Sequence, residues 1–346
     1  MTVLVTGGAG YIGSHCVIAL LNEGYNVAVF DDCSTGHEET YGRLENIKAE
    51  GKLVGFIKGS LQTIDDLNRT FETYDVEAVI HFAAFSQVAE SMKDPAKYYR
   101  NNVAGTMNLL DSMRFHNVQK IVFSSTAATY GEPEYTPIDE KHPQKPINPY
   151  GNTKLIIERM MDDYDMAYGL KSVRLRYFNV AGADSGCRVG EIHEPETHLI
   201  PNILKSTFGD GKEFSLFGSD YPTRDGTCIR DYVNVEDLAD AHVLALRYLE
   251  NGGKTDFFNL GTNSGSSVKE VFEACEKVVG KSIPLKQMGR RPGDPAILVA
   301  DNRKAKEVLG WEPKRTLEDS IRTAYDWELK RRKESRLCNI LNPTSP

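Results

Sequence analysis

The strongest constraint on the fold lies in the first fifteen residues. Val3-Leu4-Val5 is a short apolar run of the kind that is buried on both faces of a parallel sheet, and it opens directly into Thr6-Gly7-Gly8-Ala9-Gly10-Tyr11-Ile12-Gly13. A helical pattern follows over residues 12–22. Glycines at 7, 10 and 13 permit a tight turn, close approach of backbone to a pyrophosphate, and close packing of helix on strand, with the helix N-terminus turned to the phosphates. Taken alone, this Gly-x-x-Gly-x-x-Gly spacing also suits a plain strand-to-helix turn. The second strand pattern, residues 26–30, ends at Asp31-Asp32. A carboxylate there can accept hydrogen bonds from a ribose diol and repels a 2'-phosphate, so NAD is expected over NADP; the alternative is a strand-end turn residue.

The alternation then repeats. Residues 53–57, a polar helix over 63–73, residues 78–82, a helix over 96–115 and residues 120–124 form the pattern of βαβ units feeding one parallel sheet. The expected fold class is therefore α/β, a Rossmann-type doubly wound parallel sheet with a smaller C-terminal lobe. Ligands of such sheets bind beyond the carboxyl ends of the strands. Three of those ends carry small or polar residues, Gly59-Ser60-Leu61, Phe82-Ala83-Ala84 and Ser124-Ser125-Thr126, although small residues at strand ends are often only turns.

The chemistry concentrates in Asn148-Pro149-Tyr150-Gly151-Asn152-Thr153-Lys154. Pro149 suits the first turn of a helix and Asn148 is a good cap before it. Tyr150 and Lys154 then share one face, one turn apart. A phenol titrates near 10 in water, and a fixed cation close by favours the phenolate, a general base near neutral pH. The pair alone also describes an ordinary surface face. Thr126 lies beyond an apolar strand, where its hydroxyl can meet the phenol across the end of the sheet. A hydroxyl, a phenol and a lysine over a nicotinamide form a proton-transfer set.

Charge and cysteine usage narrow the partners. With 41 basic against 49 acidic residues and a net charge of -8, neither nucleic acid nor an anionic membrane is expected as the main partner. The six cysteines are scattered without a Cys-x-x-Cys pair, which points to free thiols in a reducing compartment. No run of about 18 apolar residues and no signal-peptide pattern is seen, so a soluble, cytoplasmic protein is expected.

Together with Val79-Ile80-His81-Phe82-Ala83, Leu175-Arg176-Tyr177-Phe178-Asn179, Phe217-Gly218-Ser219-Asp220-Tyr221-Pro222-Thr223, Asp225-Gly226-Thr227, Arg230-Asp231-Tyr232-Val233 and Asn259-Leu260-Gly261, these stretches resemble the extended short-chain dehydrogenase/reductase superfamily. Within it they resemble the UDP-galactose 4-epimerase family, from Val3 to about Trp327. The resemblance implies interconversion of UDP-glucose and UDP-galactose by transient oxidation at sugar C4 through a 4-keto intermediate, with NAD retained, in a homodimer. It implies Tyr150 as base, with Lys154 and Thr126 beside it. For NAD it implies Gly7, Gly10, Tyr11, Ile12, Gly13, Asp31, Ser60, Leu61, Phe82, Ala83, Ala84, Asn101, Tyr150, Lys154 and Phe178. For the UDP-sugar it implies Thr126, Tyr150, Asn179, Leu199, Phe217, Arg230, Arg291, Asp294 and Leu298. Three positions depart from the family: Ser60 stands where an acid usually meets the adenine, Ser86 where many members have a lysine, and Leu199 follows His198 where two asparagines are common.

The second half changes composition. Residues 182–230 are rich in Gly, Pro, Asp and Thr, a helix is expected over Val268–Val279, and residues 283–295 are marked by Pro and Gly. Residues 1–180 are read as the NAD-binding domain, with 231–262 returning to it. Residues 181–230 and 263–335 are read as the UDP-sugar lobe and 336–346 as a loose tail. A diphosphate needs fixed cations, and Arg230 and Arg291 are the candidates, since guanidinium forks match phosphate oxygens; either alone reads as a solvated surface arginine. His193 and His198 lie five apart among carboxylates, which is not the helical spacing of a metal pair, and no metal is expected. A 4,6-dehydratase or decarboxylase would need an acid beside the threonine, where Ala127-Ala128 stand. An NAD-sensing binding protein would keep the glycine loop and lose Tyr150 or Lys154. Leu298 occupies the position where the family carries either a bulky tyrosine or a small residue beside the sugar, which implies partial exclusion of N-acetylated UDP-sugars.

Overall fold

The computed structural model describes residues 1–209, 213–291 and 294–341, with side chains through residue 336. Seven strands form one parallel sheet: β1 (Thr2–Thr6), β2 (Asn26–Asp31), β3 (Leu53–Lys58), β4 (Val76–His81), β5 (Lys120–Thr126), β6 (Lys171–Tyr177) and β7 (Asp256–Leu260). Their spatial order is β7-β6-β5-β4-β1-β2-β3. The chain winds outward from β1 through β2 to β3, then returns to the middle at β4 and winds the other way. The crevice where the order reverses lies past the carboxyl ends of β1 and β4, which pair Thr6 with His81.

The middle of strand β1, Val3-Leu4-Val5, is apolar because both sheet faces are covered. Alternate side chains enter opposite cores. Val3 and Val5 join Val17, Leu20, Leu238 and Leu246 from the helices Tyr11–Asn22 and Val235–Glu250. Leu4 joins Leu67, Leu109, Met113, Ile157 and Met161 from the helices Ile64–Thr73, Gly105–Phe115 and Pro149–Tyr168. A separate core holds Ile200, Ile203, Leu204, Phe214, Leu216, Val271, Phe272 and Ile321. The helix Arg303–Leu309 departs from the expected division: Ala305, Leu309 and Trp311 pack into the first of the sheet cores, because the indole of Trp311 donates to Asp237 O at 2.8 Å on the helix Val235–Glu250.

Two further expectations are corrected. The helix read over 96–115 is three pieces, Pro95–Tyr98, a π-helical turn Tyr99–Ala104, and Gly105–Phe115. The wider turn breaks the 3.6-residue register and carries two asparagines inward. Asn102 accepts from Phe85 N at 2.9 Å, donates to Phe85 O at 3.0 Å, and reaches Thr153 Oγ1 at 3.1 Å. Hydrophobic periodicity carries no signal for such a turn. At the C-terminus the last helix runs Leu317–Leu341, so the backbone at 336–341, read as loose tail, is helical; residues 342–346 lie outside the described residues. No helix among the described residues is long and apolar enough to cross a membrane.

Candidate active site

A cleft of about 520 Å³ opens beyond the carboxyl ends of the strands, on the line where their order reverses. The glycine loop forms one wall. Gly7 has φ +73°, and a Cβ there would lie 2.6 Å from Ala83 N; one on Gly13 would lie 2.1 Å from Gly7 O. Only glycine lets the β1 turn, the end of β4 and the first helical turn come this close. Gly10 caps the helix Tyr11–Asn22 without a side-chain bond, so its first N–H groups remain available to an anion. Asp31 at the end of β2 is buried, accepting from Ala9 N at 2.9 Å and Cys33 N at 2.8 Å. Burial pushes its carboxyl up and these two N–H groups pull it back. A cradle closed to any Cβ, a helix N-terminus and a carboxylate at the neighbouring strand end together fit a dinucleotide.

The opposite wall is the helix Pro149–Tyr168. Asn148 Oδ1 accepts from Gly151 N at 2.8 Å, Pro149 occupies the first turn, and Gly169 ends the helix at φ +73°. The helix carries Tyr150 and Lys154 to the cleft beside Thr126, the last residue of β5. Burial pushes the Tyr150 phenol up to about 12, with the Thr126 hydroxyl pulling it down. Lys154 is 2% exposed; its ammonium donates to Ser124 O at 2.8 Å and lies 4.7 Å from the Phe123 ring centroid. Burial pulls it down to about 7, with Glu158 opposing. The two residues share the helix face, and the ammonium is aimed at the Ser124 carbonyl.

Behind Lys154 stands a group that sequence reasoning missed. Glu158 is one further turn along the same face and fully enclosed. It accepts from Arg176 Nε at 2.9 Å, from Arg176 Nη2 at 2.5 Å and from Ser125 Oγ at 2.5 Å. Arg176 in turn donates to Tyr130 OH at 2.9 Å, which donates to Asn259 Oδ1 at 2.6 Å. The spacing 150, 154, 158 was the available signal. His81 at the end of β4 sits between Thr6 Oγ1 at 2.6 Å and Thr106 Oγ1 at 2.9 Å, and burial pulls its ring down to about 3, so it stays neutral.

Most of the residues singled out from sequence reach the cleft. Gly7, Gly10, Tyr11, Ile12, Gly13, Asp31, Leu61, Phe82, Ala83, Ala84, Asn101 and Phe178 line it, as do Asn179, Arg230, Asp294 and Leu298. Arg230 donates to Pro295 O at 2.8 Å and lies 3.7 Å from Asp294. Four residues are not among the lining. Ser60 N donates to Asp66 Oδ2 at 3.2 Å, and its hydroxyl accepts from Gln62 N at 3.3 Å. Leu199 packs against the lobe core. Phe217 and Arg291 are stacked on each other, the guanidinium 3.9 Å from the ring centroid. His193 and His198 lie in a loop, which brings their ring nitrogens and the carboxylates of Glu191 and Glu196 within 4.8 Å of one another.

Three comparisons place this geometry among known proteins. The GDP-mannose 4,6 dehydratase family profile matches residues 4–324. The chain is 49% identical over 331 residues to a UDP-glucose 4-epimerase of Rhizobium leguminosarum bv. trifolii, covering 95% of this chain and 98% of that one. The Brucella ovis UDP-glucose 4-epimerase, solved in complex with NAD, superposes with a TM-score of 0.89 at 47% identity, covering 94% and 97% of the two chains. The Bifidobacterium longum enzyme, solved with NAD+ and UDP, gives a TM-score of 0.89 at 40% identity over 96% and 99%.

Proposed function

The chain belongs to the UDP-glucose 4-epimerase family, and from that premise we propose that its cleft interconverts UDP-glucose and UDP-galactose with NAD, through a 4-keto sugar. The observation that carries the reading is the convergence of Tyr150, Lys154 and Thr126 opposite the Gly7–Gly13 cradle and Asp31 in one cleft. NAD, when bound, accepts a hydride from sugar C4 and gives it back. Gly7, Gly10 and Gly13 would admit its pyrophosphate at the helix N-terminus, and Asp31 would accept from its ribose diol.

The chain's own part is proton handling and positioning. Tyr150 takes the proton of the sugar 4-hydroxyl and returns it, with the Thr126 hydroxyl holding the phenol oxygen. Lys154, fixed by Ser124 O and backed by the Glu158–Arg176 pair, stands one turn beyond the phenol and in its protonated form favours the phenolate. Arg230 faces the UDP diphosphate, with Asn179 and Asp294 beside it and Leu298 against the sugar. Elimination chemistry lacks its acid, since Ala127 and Ala128 follow Thr126 along the cleft.

The sheet and its two cores form the NAD-binding part, and the third core belongs to the nucleotide-sugar part. The molecule works as a homodimer in a reducing, cytoplasmic setting, where Cys16, Cys33, Cys187, Cys228 and Cys275 stay free thiols. The partner's face is set by the helices Gly105–Phe115 and Pro149–Tyr168, which expose Met107, Phe115, Met166 and Tyr168.

The test is to incubate purified protein with UDP-glucose, without added hydride acceptor, and analyse the sugars released. UDP-galactose should accumulate to equilibrium. Tyr150→Phe should lower kcat by about 10²–10⁴-fold, the usual share of a general base, while nucleotide stays bound. Full activity in that variant would remove Tyr150 from the reaction.

A further inference from the structure

The loop that precedes the helix Leu199–Ser206 gathers four side chains at the edge of the cleft. His198 Nδ1 lies 2.5 Å from Glu191 Oε1 and 3.4 Å from Glu196 Oε1; His193 Nδ1 lies 2.9 Å and 4.0 Å from the same two atoms. All four candidate ligand atoms fall within 4.8 Å of one another. Ligands of a tetrahedral zinc sit about 3.3 Å apart, the edge of a tetrahedron with arms of about 2.0–2.1 Å. The observed separations straddle that edge.

The rest of the shell fits as well. The two carboxylates are 8% and 5% exposed and each lies against both histidine rings, so a cation bound among them would take the place of that pairing. The loop backbone is tied down: Trp327 Nε1 donates to Glu191 O at 3.2 Å, and His37 Nε2 lies 3.3 Å from Ile192 O. Glu196 also meets Lys205 Nζ at 3.5 Å through Oε2, which leaves Oε1 toward the histidines. Two imidazoles with two carboxylates suit zinc and its first-row neighbours. Magnesium and calcium prefer oxygen alone.

We propose that Glu191, His193, Glu196 and His198 bind one zinc-type divalent cation per chain. The ion clamps the loop that carries the N-cap of the helix Leu199–Ser206 and forms part of the cleft rim. This assignment does not rest on the epimerase reading, because ion binding is read without turnover.

The experiment uses the full chain as purified, without an appended histidine tag and after dialysis against a chelator. Zinc chloride is titrated calorimetrically, and cobalt chloride is followed by visible absorption, since tetrahedral cobalt has a distinctive spectrum. One zinc per chain, a tetrahedral cobalt spectrum and a raised Tm are expected. His198→Ala and Glu196→Gln should each weaken zinc at least about 100-fold and abolish the cobalt bands, while the far-ultraviolet circular dichroism stays native. Absence of a stoichiometric site in the wild type overturns the proposal, leaving the cluster as protonated histidines paired with carboxylates. Zinc bound equally well by wild type and both variants also overturns it, since the ion then sits elsewhere.

Discussion

Two side chains in the cleft lead to opposite kinds of measurement. Leu298 lies in the two-residue strand Ile297–Leu298, paired to Ile229–Arg230, and lines the cleft half-buried. A leucine against the sugar's C2 substituent should exclude an N-acetyl group in part, at a cost of about 1–3 kcal/mol. UDP-N-acetylglucosamine should therefore turn over more slowly than UDP-glucose, and Leu298→Ser should raise the ratio of their kcat/KM values by roughly 5–150-fold. An unchanged ratio would show that Leu298 is not the gate. Lys154 carries the second measurement. Its pKa falls from 10.5 to about 7, so between those values the unfolded chain holds a proton that the folded chain has lost. Stability then rises with pH across that window, and the full cost of burying the ammonium is present below about pH 7. Lys154→Met should lose most turnover yet be more stable than wild type at pH 6–7, by an amount on the order of a few kcal/mol, and so melt higher. The gap should close toward pH 10. A Tm difference independent of pH, with bound nucleotide matched, would count against the buried ammonium as its source.

At the scale of the element, the helix Pro149–Tyr168 positions Tyr150, Lys154 and Glu158 on one face. Its start is set by Asn148, whose side chain satisfies Gly151 N, and by Pro149, which needs no partner for a missing N–H. Asn148→Ala should cost about 1 kcal/mol, roughly 2 °C in Tm for a chain of this size, and Asn148→Asp should recover most of it because an aspartate accepts the same bond. Equal losses in both variants, followed by thermal unfolding, would mean that the cap is not what holds the first turn.

For the molecule as a whole, two outer helices leave large apolar side chains exposed among the described residues. Phe115 is 74% and Met166 87% exposed on neighbouring helices, which Tyr164 joins through its hydroxyl to Asp111 at 2.8 Å. Large apolar side chains exposed on two neighbouring helices suit a second copy of the chain. Light scattering should give twice the chain mass for wild type and the single-chain mass for a Phe115→Asp/Met166→Asp double variant. A wild type that remains monomeric at micromolar concentration would end the homodimer reading.

The parallel sheet, the glycine loop, Asp31 and the Tyr150/Lys154 face were legible in the sequence because each rests on local rules. Strand burial shows as an apolar run, a close approach shows as glycine, and a helix face shows as a spacing of four. The tertiary structure decided what depends on distance across the chain. It turned Lys154 toward Ser124 O, set Glu158 against Arg176, opened the π-helical turn that brings Asn101 and Asn102 inward, and stacked Arg291 on Phe217 away from the cleft lining. It also drew His193 and His198 together with two glutamates, since a loop follows no fixed period and only the packing around it sets which side chains meet.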